Sequence, residues 1–149
     1  MSDGQHVSDL TVVAELRAIL VQKAADDAQA AAAELDERIE ALRLADELGE
    51  AAASVWSAHL TSSFFDPGFG LMLAADLLAK DARVQEMRRE HQRSVAASAA
   101  CEEQWQRALA EDEAGKTLLQ GARKVRERRR EELRLGEMAD RVTLRWGAR

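Results

Sequence analysis

The side chains best equipped for chemistry here are three histidines, one cysteine and a Gly-Lys-Thr triplet, and their surroundings argue against each. Gly115-Lys116-Thr117 matches the end of a phosphate-binding loop. That loop needs a further glycine five residues upstream, where Ala110 stands, and a strand leading into it. Glu111, Asp112 and Glu113 would also repel a phosphate. His6, His59 and His91 lie far apart in the chain, whereas a metal centre needs convergent ligands. They read as seam histidines with satisfied hydrogen bonds. Cys101 stands beside Glu102 and Glu103, and an activated thiol needs an electropositive neighbourhood, so it reads as a packed or idle thiol. No nucleophile, base and acid fall at a specific spacing. The expectation is a protein that is not an enzyme and has no catalytic, cofactor or metal residues.

What remains is charge and exposed apolar surface. Residues 1–122 hold 11 Lys+Arg and 22 Asp+Glu, a net of −11, while residues 123–149 hold 10 and 5, a net of +5. The basic run Arg123, Lys124, Arg126, Arg128, Arg129, Arg130 is interleaved with Glu127, Glu131 and Glu132. Nucleic-acid binders usually present an unbroken basic face. An acidic protein partner fits this pattern better than nucleic acid, with a merely solvated face as the alternative. Trp146, with Val142 and Met138 one and two turns earlier, reads as a binding anchor on the same basic end.

These residues must sit on helices. Ala, Leu, Glu, Arg and Asp dominate a chain of 149 residues with one Pro, no Asn and no Tyr. Such a composition suits long or coiled-coil helices, and a sheet would need more β-branched and aromatic residues. The one strong break is Ser62-Ser63-Phe64-Phe65-Asp66-Pro67-Gly68-Phe69-Gly70, with Gly68 and Gly70 available for left-handed backbone. Upstream, an apolar stripe runs through Leu16, Leu20, Ala24, Ala28, Ala31, Leu35, Ile39, Leu42, Ala45, Leu48, Ala52 and Val55. Downstream, Leu73, Leu77, Val84, Met87, His91, Val95, Trp105, Leu109, Leu119, Val125 and Leu133 recur at roughly helical intervals.

The expected fold is therefore all-α, a long antiparallel two-helix coiled-coil hairpin. Its helix 1 covers about 9–62, its turn about 63–70 and its helix 2 about 71–146, as a single domain over 1–149. Folding about Pro67 sets Leu35 against Ala99, Leu42 against Gln92 and Leu10 level with Lys124, each within a residue or two. The same pairing puts His59 opposite Ala75 and His91 opposite Arg43, so the two do not converge. Val125 to Arg149 then project past the first helix. Gly115, Gly121 and Gly136 mark either local flexibility or close approach of a partner backbone. Phe64, Phe65, Phe69, Leu71 and Met72 collect at the turn, either plugging the end of the hairpin or forming a docking patch. No apolar run approaches the length of a membrane span, and the first residues lack the pattern of a secretory signal. The expectation is a soluble, cytoplasmic protein without direct membrane insertion.

The chain resembles the small coiled-coil stalk proteins of type III secretion, flagellar FliJ and its injectisome counterparts SctO/YscO. The shared features are the length, two antiparallel helices about a mid-chain turn, and an Arg/Glu-rich second helix. The closing segment, from Arg130-Glu131-Glu132-Leu133 through Glu137-Met138-Ala139-Asp140-Arg141-Val142-Thr143-Leu144-Arg145, is similar to the family's ending. The first helix here is more acidic than is usual in that family. The resemblance implies a non-enzymatic stalk, peripheral to a membrane-bound secretion apparatus, that couples a hexameric secretion ATPase to the export gate. Export chaperones are further expected partners. On this reading Arg126, Arg128, Arg129, Arg130, Arg134 and Trp146 face the ATPase, and Phe64, Phe65, Phe69 and Met72 face the gate protein. The rival readings are a type III chaperone or secreted WXG-type hairpin, and a dimeric coiled-coil scaffold. A stalk would be monomeric in solution and a scaffold would sediment at twice the chain mass.

Overall fold

A computed structural model describes residues 3–148 and contains two helices, α1 (Asp3–Leu60) and α2 (Pro67–Gly147), packed against each other as an all-α hairpin. Both helices begin earlier than the sequence patterns suggest, and the turn is shorter, covering 61–66. The reason lies at Asp66. Its carboxylate Oδ1 accepts a hydrogen bond from the Gly68 amide at 3.0 Å, and its carbonyl accepts one from the Gly70 amide at 2.8 Å. Asp66 is thus the N-cap and Pro67 the first helical residue, a position where the missing amide hydrogen costs nothing. Neither Gly68 nor Gly70 adopts a positive φ. The glycine at 70 serves packing instead: it is buried, and a Cβ there would meet the Phe65 ring at 3.4 Å.

Two compact units divide the chain, Met1–Ala24 with Trp105–Arg149, and Ala25–Gln104. In each, the central seam positions alternate by three and four residues, the 3.5-residue period of a coiled coil, with flanking residues such as Ala41 and Glu90 partly covered beside them. In the Ala25–Gln104 unit, α1 turns inward Ala28, Ala31, Leu35, Arg38, Leu42, Ala45, Gly49, Ala52, Trp56 and His59. Ala45, Val84 and Met87 form its buried cluster, with Ala41 and Leu42 packed against them. Arg38 Nη1 donates across the seam to Glu90 Oε2 at 2.6 Å. In the other unit, α1 turns inward Val7, Leu10, Ala14, Arg17, Val21 and Ala24, facing Trp105, Ala108, Asp112, Gly115, Leu119, Ala122 and Arg126.

The heptad corrects the stripes expected from sequence. Leu16, Leu20, Ile39, Leu48 and Val55 on α1, and Val95, Leu109, Val125 and Leu133 on α2, are exposed. Steps of four drift round a supercoiled helix, and Arg17, Val21, Arg38, Gly49 and Trp56 take the places those aliphatics were expected to fill. The register is also offset by up to about a turn, as the shorter connection requires. Leu42 packs toward Val84 and Met87 rather than Gln92, while Leu10 shares a recess with residues from Thr117 to Arg126. Small seam residues bring the helices close but bury little, and no large side chain among the described residues is completely enclosed. The exposed surface is 11443 Å². A compact protein of this mass, 16.5 kDa, exposes about 7,500 Å².

Candidate functional site

The carboxy-terminal part of α2 is the most exposed helical stretch. Arg126 is the last partly covered residue; every residue from 127 to 148 is exposed while remaining helical to Gly147. Helices are right-handed with 3.6 residues per turn, so side-chain placement along this stretch follows from numbering alone. Leu135, Met138, Val142 and Trp146 fall within about 80° of one another. They form one apolar stripe, and Trp146 is 78% exposed.

Arginines border that stripe on one side. Arg126, Arg130, Arg134, Arg141 and Arg145 lie within about 100° of one another, interrupted by Glu137. The six residues expected to act together at this end therefore split among three directions around the helix. Arg126, Arg130 and Arg134 belong to the arginine row, while Arg128 shares the side of Trp146. Arg129 falls on the line of the inter-helix seam continued past its last contact. Sequence reading missed Leu135, Arg141 and Arg145, although their spacing carries the signal once the helix is known to run unbroken. Thr143 is spent locally, its hydroxyl donating to the Ala139 carbonyl at 2.8 Å.

The shaft beside this end carries a second feature. Its seam holds Arg17, whose Nη1 donates to the Glu111 carbonyl at 2.9 Å and lies over Gly115. A Cβ at 115 would sit 2.6 Å from that nitrogen, so this glycine marks a close approach within the chain. Asp112 is buried on the same seam, with Lys116 Nζ 2.6 Å from its Oδ2, while its Oδ1 has no hydrogen-bond partner among the described residues. The Gly-Lys-Thr triplet is thus helical, its lysine paired with a carboxylate.

At the turn, His59 does the organising. Its ring lies 5.1 Å from both Phe65 and Phe69, tilted to the first and edge-on to the second, and its Nε2 is 3.0 Å from the Asp66 carbonyl oxygen. His59 holds the last seam position of α1, as expected, and is also partnered by the turn it closes. Phe65 and Phe69 are half covered by this cluster. Phe64, Leu71 and Met72 point outward, Phe64 at 88% exposure. The tip therefore combines the two expected alternatives, with two rings folded in and one ring, a leucine and a methionine presented.

Among the described residues no group of three His, Cys, Asp or Glu is placed to hold a metal ion, and no helix is long and apolar enough to cross a membrane. No known family model, curated protein or solved structure matches the chain.

Proposed function

We propose that this chain is a non-enzymatic coiled-coil stalk of a type III secretion or flagellar export apparatus, coupling a hexameric secretion ATPase to the export gate. The observation that carries the reading is the uncovered end of α2, where an apolar stripe ending in Trp146 runs beside an arginine row. An amphipathic helix of this kind docks its apolar face in a groove and uses its cations to find an acidic rim. Arg130, Arg134, Arg141, Arg145 and Trp146 would contact the ATPase. Phe64, Leu71 and Met72, set in place by the His59 cluster, would meet the gate protein or an export chaperone. The chain would work at the cytoplasmic side of the apparatus by mechanical and electrostatic coupling, making and breaking no covalent bond.

The test is the turnover of a purified secretion ATPase encoded beside this chain. Adding the chain should raise turnover, and reversing Arg130, Arg134, Arg141 and Arg145 to Glu should abolish the increase while leaving helicity intact. If the unaltered chain neither binds nor stimulates that ATPase, the stalk reading fails.

A further inference from the structure

The unit of residues 1–24 and 105–149 holds an open recess of about 460 Å³ where α1 begins. Val7 and Leu10 of α1 and Leu118, Gly121 and Val125 of α2 line it, and His6 and Arg126 stand in the same wall. A glycine inside a helix costs stability, and nothing within the hairpin calls for one at 121. Its φ is not positive, and a Cβ added there would meet nothing within 4 Å. Gly115, nearly two turns earlier, differs because the Arg17 side chain lies over it. The bare position at 121 leaves room for a side chain that comes from outside.

We propose that this recess docks an acidic amphipathic helix of a partner protein, with one large apolar side chain of that helix seated over Gly121. Two helices side by side leave a groove that takes the apolar face of a third. Charge selects the partner. Residues 117–130 hold six Lys+Arg and one Glu, and residues 4–13 hold one Asp, a local net of +4. Residues 25–104 hold 7 Lys+Arg and 16 Asp+Glu, a net of −9, so the recess belongs to the basic part of an acidic chain. Lys124 and Arg128 are exposed and fall within about 60° of Gly121 around α2, which puts both on the rim. Arg126 adds a third cation from the wall itself.

A continuous anionic surface fits this rim less well. Glu127, Glu131 and Glu132 interleave the cations, and Glu132 falls within about 20° of Gly121 around the helix. A sheet of lipid phosphates would therefore meet acids together with bases. A helix with carboxylates at chosen positions can pair with Lys124, Arg126 and Arg128 and leave those glutamates to solvent. The recess is distinct from the Trp146 stripe that the stalk reading gives to the ATPase, and it does not rest on that reading.

Fluorescence anisotropy of two labelled synthetic helices on the full chain reads the proposal. One helix carries Leu at its heptad core positions and Glu on its flanks, and the other carries the same Leu with Lys on its flanks. The Glu helix should bind saturably, less tightly as salt is raised, and the Lys helix should not bind. Gly121→Trp fills the floor, and Lys124→Glu with Arg128→Glu reverses the rim. Each should weaken binding of the Glu helix about tenfold or more, with helical circular dichroism unchanged because all three positions are exposed. Trp146→Ala should leave that affinity unaltered; a loss there would place the binding on the arm and overturn the proposal. Equal binding of both helices, no binding of the Glu helix up to its solubility limit, or full affinity in Gly121→Trp also overturns it. So does displacement of the Glu helix by phosphatidylserine vesicles, which would make the site a lipid site. The Gly121→Trp variant keeps its arm and should still stimulate the ATPase, so the recess and the stalk reading stand or fall separately.

Discussion

The two units share one seam geometry and fill it differently. Between residues 25 and 104 the seam closes over Ala45, Val84 and Met87, with the cross-helix pair Arg38–Glu90 on the seam a little way along and the more exposed Arg88–Asp46 pair beside it. In the unit of residues 1–24 and 105–149 the corresponding stations hold Arg17, Asp112 and Gly115, while Leu16, Ile19 and Leu20 face outward. The heptad period alone sets the shape of such a pair. What occupies the period decides how much apolar surface is buried between the helices. The first unit closes over a buried apolar cluster, and the second carries a buried carboxylate and a close glycine–arginine contact on its seam.

Changes inside the first unit should have the largest effect on stability. Met87 is 3% exposed, and Met87→Ala should cost about 2–3 kcal/mol, the lower part of the range for buried truncations because its neighbours are small. Chemical denaturation followed by circular dichroism measures it. A loss no greater than that of Leu133→Ala, at an exposed site, would erase the contrast between the units. The second unit should respond in the opposite sense. Asp112→Leu removes a buried carboxylate with one unpaired oxygen and should stabilise the chain by about 1–2 kcal/mol.

Glycine replacements sharpen the contrast further. Gly121→Ala and Gly136→Ala meet open space and should each gain up to about 1 kcal/mol in helix propensity. Gly115→Ala must push the Arg17 guanidinium off the Glu111 carbonyl, so it should gain less than either, and Arg17→Met should restore the difference. The smallest effect is a pH dependence. Hydrogen bonding and attraction from Arg43 hold the Glu40 carboxyl below its ordinary range. Its stabilisation is therefore complete above the ordinary carboxylate range and is lost as pH falls through the depressed value. Acid titration of the melting temperature should show a slightly shallower fall for Glu40→Gln.

Much of the architecture was legible because it depends on averages. Composition and one proline-containing break are enough for two helices and a hairpin. Register was not legible, because it rests on how Asp66 caps α2. Asp66 caps α2 and draws Pro67 to Gly70 into the helix, which shifts every facing pair. The seam was misassigned where large aliphatics compete with small or charged residues: Leu16 and Leu20 attract attention, yet Arg17 and Val21 fit the heptad. At the candidate site, Trp146, Val142 and Met138 were readable from spacing. Leu135 and the Arg141–Arg145 pair were not, because the cluster from Arg126 to Arg130 looks like one patch in sequence and is spread around the helix in space. His59 was invisible as an organiser of the tip, since its partners come from the turn.

The central claim is that the uncovered end of α2 is the partner-binding element, and calorimetric titration of Trp146→Ala into the secretion ATPase hexamer tests it most directly. An anchoring tryptophan contributes about 2 kcal/mol or more, so affinity should fall roughly thirtyfold with the melting temperature unchanged. Unaltered affinity in that variant would place the binding surface elsewhere on the chain.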